Sequence, residues 1–485
     1  MHRPRRNWPS WLVALALAGS SALVLPSAAY ATGGEGGGDS TLVVLALIAT
    51  VAVAYLLTHF VVERLQRVIL VLTGLEYLVL GVGLGPQVPY HIPAFSDLEK
   101  LMPIVALAVG WVGLLRGMEL SRRRYRGHVP LGVGRVVVVQ AVVAGGLTMV
   151  AAYFAFASGH FFPLGSPGTD AVVGPRQLWM AVGVMGCAAA AGSVSPIELL
   201  ESRYTLTGEM PERIRRMAGL SDLLAIVVFG LLFCVLHPND ASAPVQPSPT
   251  EWAVVSIGLG GLLGVLFTPF LGEDDSENGR FLAMVGIIVL ASGAAYFLDL
   301  SPLLVNLCLG AVLVNTARTG PQINATLERT KRPMALVLLV FAGALWRPVD
   351  PFLGAALSLG YIVLRLGGKA IGTYLAAWRS PLRGDYHRGL IAHGEVSVAM
   401  AVSVRLVFEG EAVDLAYTAI LASVVVNDLF APRILRGLLI DTGDIRGEPG
   451  KNGSQARDKA APPSPAVVAE VGGEVPAEPP AEAEA

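Results

Sequence analysis

Long apolar runs, punctuated by short basic or turn-forming stretches, fill the chain from residue 41 to residue 438. A bilayer core of ~30 Å needs about twenty apolar residues per helix, and on that scale about thirteen spanning helices are predicted. They fall near 41–62, 68–86, 100–118, 132–157, 176–199, 215–236, 251–271, 280–298, 301–317, 333–347, 352–376, 388–408 and 414–438. Several of the runs are interrupted by Gly, Pro or charge, and two of these interruptions carry polar neighbours that bear on function. In "GCAAAAGSVSPIELL", Pro196 has no amide hydrogen and disfavours helix at Ser195, next to the weak helix formers Gly192 and Ser193. In "IAHGEVSVAMAVS", Gly394 and its polar neighbours interrupt a second run. Broken helices at membrane depth occur where they are buried or line a cavity, and their ends offer carbonyls to cations.

The two interruptions hold matching places. If 41–62 to 215–236 and 280–298 to 414–438 are two halves joined by 251–271, each break lies in the fifth span of its half. Six spans per half inverts the second copy. The predicted fold is an all-α polytopic membrane protein with inverted repeats and two crossed broken helices, the arrangement of secondary transporters.

The two ends differ from this pattern. "MHRPRR" is a basic leader, "WLVALALAGSSALVL" an apolar stretch and "SAAYA" a small-residue cleavage pattern, so 1–31 reads as a signal peptide cut before Thr32. The rival reading is an uncleaved first span; on either, the first stable helix enters from outside. Basic residues then test the orientation. The loops assigned to the cytoplasm hold clusters such as Arg122, Arg123, Arg124 and Arg126, and the outer loops hold Lys100, Arg176 and Arg347. The bias is about eighteen against about three, a positive-inside pattern with the N-terminus outside and the C-terminus cytoplasmic. Residues 441–485 are rich in Ala, Pro, Gly and Glu without an aromatic, and read as a disordered cytoplasmic tail.

Composition narrows the class. Charged residues make up 15% and hydrophobic ones 53%; soluble domains carry roughly 25% charge, so the membrane reading stands without the span count. A net charge of −2 gives no footing for nucleic acid. Cys187, Cys234 and Cys308 lie in apolar runs, with no metal spacing and no disulfide framework. No Walker pattern, strand-flanked GxGxxG or clustered nucleophile, base and orienter is present, so neither an enzyme nor a cofactor is expected.

Ionisable residues inside spans are costly, and each is a functional hypothesis. Asp222 lies inside "RRMAGLSDLLAIVVFGLLFCVL" and directly follows the first broken run, which makes it the leading candidate. Arg365 and Lys369 lie in one span, and His393, Glu395 and Arg405 in another. Asp428 and Arg433 are expected to form a local ion pair near the cytoplasmic end, and Glu198 and Glu201 to mark the cytoplasmic boundary.

From about residue 65 to 437 the succession of segments resembles the monovalent cation:proton antiporters, the sodium/hydrogen exchanger superfamily, and within it the bacterial potassium-efflux-like branch. The segments concerned are "LTGLEYLVLGVGLGP", "LMPIVALAVGWVGLLRGMELSRRRYR", "SVSPIELLESR", "LSDLLAIVVFGLL", "LSPLLVNLCLGAVLVN" and "KRPMALVLLVFAGALWRPVD". The resemblance rests on their order over most of the chain.

That resemblance implies a cation/proton exchanger domain over 41–438, with a core bundle at about 132–236 and 352–438 moving against a dimerisation scaffold. It implies a homodimer in the lipid of a bacterial inner membrane. Asp222 matches the carboxylate that alternately binds cation and proton, and Lys369 the basic residue paired with it. Ser193 and Ser195 fall in the first broken helix; Gly394 and Glu395 resemble the Gly-Glu of the second. His393 stands where Arg is frequent. Ser221 stands where the family has Asn or Asp, so a single carboxylate implies one proton per cation, Na⁺ or K⁺, in an electroneutral cycle. Carbonyls of the broken helices are expected to replace part of the cation's water shell. A monovalent cation channel and a non-transporting degenerate exchanger or sensor are the alternative readings.

Overall fold

The computed structural model describes residues 74–85, 101–121, 131–157, 175–238, 247–269, 277–316, 320–378 and 383–446. Of the tail expected at 441–485, residues 441–446 are instead the end of a helix and a short strand, and the rest lies outside the described residues, as do the signal segment 1–31 and the span 41–62. Thirteen α-helices run through the described residues: α1 Leu75–Leu84, α2 Met102–Met118, α3 Leu131–Ala157, α4 Pro175–Ala190, α5 Ser195–Glu201, α6 Met210–Val235, α7 Pro249–Phe267, α8 Glu277–Phe297, α9 Pro302–Thr316, α10 Gly320–Ala344, α11 Pro351–Ala377, α12 Gly394–Val407 and α13 Glu411–Asp441. A 3₁₀ turn, Tyr386–Gly389, precedes α12.

Both predicted interruptions are real breaks. Residues 191–194 separate α4 from α5, and Pro196 sits in the first turn of α5, where its missing amide costs nothing. Residues 390–393 separate the 3₁₀ turn from α12. So the runs expected at 176–199 and 388–408 each fold as two pieces. Six stretches are long and apolar enough to cross a membrane, the α4–α5 unit among them. Exposed Val138, Val142 and Phe154 on α3, with Val254 and Leu262 on α7, give these helices outer faces suited to lipid. This is a multi-pass membrane protein.

The helices sort into two groups by packing. One comprises α1, α2, α7, α8, α9 and α10, and the other α3, α4, α5, α6, α11, α12 and α13. Small residues set the closest approaches, because packing inside a membrane rests on fit rather than on exclusion of water. In the first group α2 lies along α9: a Cβ added at Gly113 would lie 2.3 Å from the Leu303 carbonyl oxygen, and one at Gly117 2.3 Å from that of Leu307. In the second, a Cβ at Gly368 of α11 would lie 2.6 Å from Ala144 Cα, and one at Gly372 2.5 Å from Gln140 Cα. Numbers rise on α11 as they fall on α3, so the two helices run antiparallel, as the matching members of inverted repeats must.

A two-residue antiparallel pairing, β1 Thr205–Leu206 with β2 Ile445–Arg446, joins the α5–α6 connection to the segment after α13. The Thr207 amide extends it, donating to the Asp444 carbonyl at 2.8 Å.

Candidate functional site

Helix α6 buries Ile214, Met217, Ala218, Ser221, Asp222, Ala225 and Phe229, a stripe at three- and four-residue spacing. That periodicity turns Asp222 inward, with no solvent exposure, toward the break between α4 and α5. A break leaves amides and carbonyls without helical partners, and in an apolar interior each must find one. The Gly192 amide donates to Asp222 Oδ1 at 3.0 Å. Asp222 Oδ2 receives no hydrogen bond among the described residues. It lies 3.3 Å from Arg116 Nη2 on α2.

Arg116 is buried, and it faces three carboxylates at once. Its Nη1 donates to Glu119 at 2.9 Å, one turn along the same helix, and its Nη2 to Glu395 Oε1 at 3.1 Å on α12. The guanidinium thus reaches from the first helix group to two carboxylates of the second. A second ion pair crosses the same boundary, where Lys331 of α10 meets Glu198 of α5 at 2.8 Å.

Freed carbonyls collect the remaining donors. Lys369 Nζ donates to the Ala191 carbonyl at 2.6 Å, and Arg365 Nη2 reaches the same oxygen at 3.2 Å. Arg365 also donates to the carbonyls of Ala392, at 3.0 Å, and Ile391. Gln140 Nε2 donates to the Ala190 carbonyl at 3.3 Å and to Ser221 Oγ at 3.0 Å. Two expectations change here. Lys369, expected opposite Asp222, is placed on the carboxyl end of α4, and Arg116 is the cation beside Asp222. The break carbonyls, expected to face a cation, are already engaged by these side chains. The cause is the negative end of a half-helix in a low-dielectric interior, which draws the nearest buried cation.

Ser221 faces α3, because its hydroxyl donates to the Met217 carbonyl at 2.8 Å and accepts from Gln140. Ser193 and Ser195 bond each other: the Ser195 amide donates to Ser193 Oγ at 3.3 Å, and the two hydroxyls lie 3.2 Å apart. Ser193 also packs on Gly394, which brings the two breaks into contact. His393 is fully buried between two hydroxyls, with Nδ1 2.9 Å from Ser397 Oγ and Nε2 2.9 Å from Ser423 Oγ. Its ring stacks on Tyr361, with centroids 5.8 Å apart.

Asp428 departs from the expected pair with Arg433. It is buried, and its Oδ1 accepts the His393 amide at 2.9 Å. Asp222 with Gly192 and Asp428 with His393 are therefore the same device in the two halves: a carboxylate on the helix that follows the broken span, α6 or α13, holds an amide of that break.

Sequence reasoning missed Arg116 and Gln140. Arg116 lies in "GWVGLLRGMEL", close enough to "SRRRYR" to pass for part of the basic boundary. The available signal was its place between Gly113 and Gly117 on an apolar stretch. Gln140 had the same kind of signal, a lone amide in "VVVVQAVVAGG".

One consequence concerns Lys369. Lys369→Met keeps the side-chain stem and removes the shorter donor to the Ala191 carbonyl, leaving Arg365 at 3.2 Å. A loss of about 0.5–1.5 kcal/mol is expected for removing one of the two hydrogen bonds to that carbonyl. It would appear as a lower thermal unfolding midpoint of the purified chain; an unchanged midpoint would mean that Arg365 alone serves that carbonyl.

No protein-family model and no curated protein matches the chain. Solved structures do. A structure of the sodium proton antiporter MjNhaP1 from Methanocaldococcus jannaschii at pH 8 aligns with a TM-score of 0.54 at 16% identity, covering 82% of this chain and 98% of that one. An electron-microscopy structure of the same antiporter aligns with a TM-score of 0.54 at 16% identity, over 83% of this chain and 99% of that one. Likeness over about four-fifths of this chain and nearly all of that one shows the architecture: this polytopic all-α protein has the fold seen in the sodium proton antiporter MjNhaP1.

Proposed function

We propose that the chain is a secondary antiporter that exchanges a monovalent cation, Na⁺ or K⁺, for H⁺, with Asp222 binding the two in turn. The observation that carries this reading is Asp222 Oδ2, a buried carboxylate oxygen at a helix break with no hydrogen-bond donor among the described residues. Such an oxygen accepts either a proton or a cation, and one excludes the other. The likeness to a sodium proton antiporter supports the same reading.

In this proposal the second helix group is the moving core, and α1, α2 and α7–α10 form the scaffold on which a homodimer assembles in lipid. Exchange follows if the core exposes Asp222 to one side at a time and crosses only with the carboxylate neutralised, because an unpaired charge in hydrocarbon is costly. With Ser221 beside it in place of an acid, Asp222 carries one proton for one cation, and the cycle is electroneutral. The excess of Arg and Lys in alternate loops supports a cell-membrane orientation with the N-terminus outside and the C-terminus cytoplasmic.

The test is proton flux in proteoliposomes of the full chain, driven by gradients of Na⁺, K⁺, Li⁺ or Rb⁺, with and without an imposed membrane potential. Flux with Na⁺ or K⁺ that does not respond to the potential is expected. Cation movement without proton movement would instead identify a channel, and the absence of both a non-transporting protein.

A further inference from the structure

The nitrogen beside Asp222 has a second acid on it. Arg116 Nη2 lies 3.3 Å from Asp222 Oδ2 and 3.1 Å from Glu395 Oε1, so one positively charged atom bridges carboxylates from α6 and α12. Both helices belong to the second group and Arg116 to the first. We propose that the transported cation binds where Arg116 Nη2 now lies, with Glu395 as its second carboxylate ligand and Arg116 as a tethered cation that it must displace. The proposal rests on the antiport reading and names the ligands of that same site.

Three features of the geometry support it. Asp222 Oδ2 is held by charge alone, without a hydrogen bond, so an inorganic cation offers it no less than the guanidinium does. Arg116 Nε is buried with no acceptor among the described residues, so the guanidinium is incompletely held in this position. Glu119 lies on Arg116's own helix, and its side chain is 21% exposed. It keeps its contact with Nη1 when Nη2 withdraws, so the displaced guanidinium is not left buried without a partner.

The exchange of partners is balanced in charge. When a cation enters, Asp222 and Glu395 both stay ionised around it and Arg116 turns to Glu119. When a proton binds Asp222 instead, Glu395 keeps Arg116. Glu395 therefore tightens cation binding without carrying a proton, and one cation still exchanges for one proton.

The experiment measures binding of radiolabelled Na⁺ and Rb⁺ to the purified full chain and to Arg116→Gln, Glu395→Gln, the two combined, and Asp222→Asn. Arg116→Gln is expected to tighten binding of the preferred cation about tenfold, and adding Glu395→Gln to weaken it again by about tenfold, each a modest change for a buried charge pair. Unchanged affinity in Arg116→Gln would overturn the displacement step, and equal affinity of Arg116→Gln with and without Glu395→Gln would overturn Glu395 as a ligand. If Arg116→Gln does not fold, Glu119→Gln replaces it; removing the acceptor of the displaced guanidinium should weaken cation binding, and unchanged binding would count against the proposal. Asp222→Asn separates the two readings: loss of all cation binding there keeps antiport at Asp222 whatever Glu395 does, whereas wild-type binding removes both.

Discussion

Asp222→Asn should reduce cation-driven proton flux to the level of empty liposomes while leaving the protein folded. Asn has nearly the shape of Asp, and its carbonyl oxygen still accepts the Gly192 amide that Asp222 Oδ1 accepts at 3.0 Å. Arg116 retains Glu119 at 2.9 Å and Glu395 at 3.1 Å, so no buried cation is stranded. What disappears is the negative charge and the oxygen that takes up a proton, because an amide neither ionises nor protonates in this range of pH, so cation and proton no longer compete. The readouts are a pH-sensitive dye inside liposomes under a Na⁺ or K⁺ gradient, and the elution profile of the purified variant. Flux at the wild-type rate from Asp222→Asn would remove Asp222 from the exchange.

Gly394→Ala should prevent the two breaks from packing and deplete the folded protein. Gly394 has φ +69°, a left-handed conformation that costs an L-residue with a Cβ about 1–2 kcal/mol. That Cβ would also lie 2.5 Å from Ser193 Oγ and 2.7 Å from Ser193 Cβ, inside any real contact. Overpacking of this kind costs about 1–3 kcal/mol more, a large part of the 5–15 kcal/mol that holds a typical domain together. Thermal unfolding and the monodisperse yield after purification both measure it. Adding Ser193→Gly removes the clash and leaves the backbone strain, so the double variant should recover only part of the loss; full recovery would mean that the φ angle carries no cost.

The architecture was readable because its determinants are local. Run length sets a span, and Pro196 with Gly192 marks the first break as surely as Gly394 does the second. Asp222 was readable as an acid within an apolar run directly after a break. Its partner was not, because pairing depends on which helices pass one another. Arg116 reaches Asp222 because Gly113 and Gly117 seat α2 tightly on α9, and α2 in turn passes α6 and α12. Lys369 goes to the Ala191 carbonyl because Gly368 and Gly372 press α11 onto α3, beside the end of α4. Neither approach is written in the spacing around Asp222. Asp428 was misread for a similar reason: Arg433 is its neighbour in sequence, but the orphan amide of His393 is its neighbour in space.

The charges around the crossed breaks bear on leakage as well as on binding. At the crossed breaks themselves, Arg365 and Lys369 are matched in formal charge by Asp428 and Glu395, and Asp222 is the charge left over. On the exchange reading, a single proton or univalent ion makes that cluster neutral, and a bare one carries a net negative charge. The bare cluster is also the one that Arg116 grips through both Asp222 and Glu395, against Glu395 alone when Asp222 is protonated. An empty return stroke would then have to break that grip and carry an uncompensated charge through hydrocarbon. Uncoupled slippage would be opposed twice, by a tether and by the dielectric.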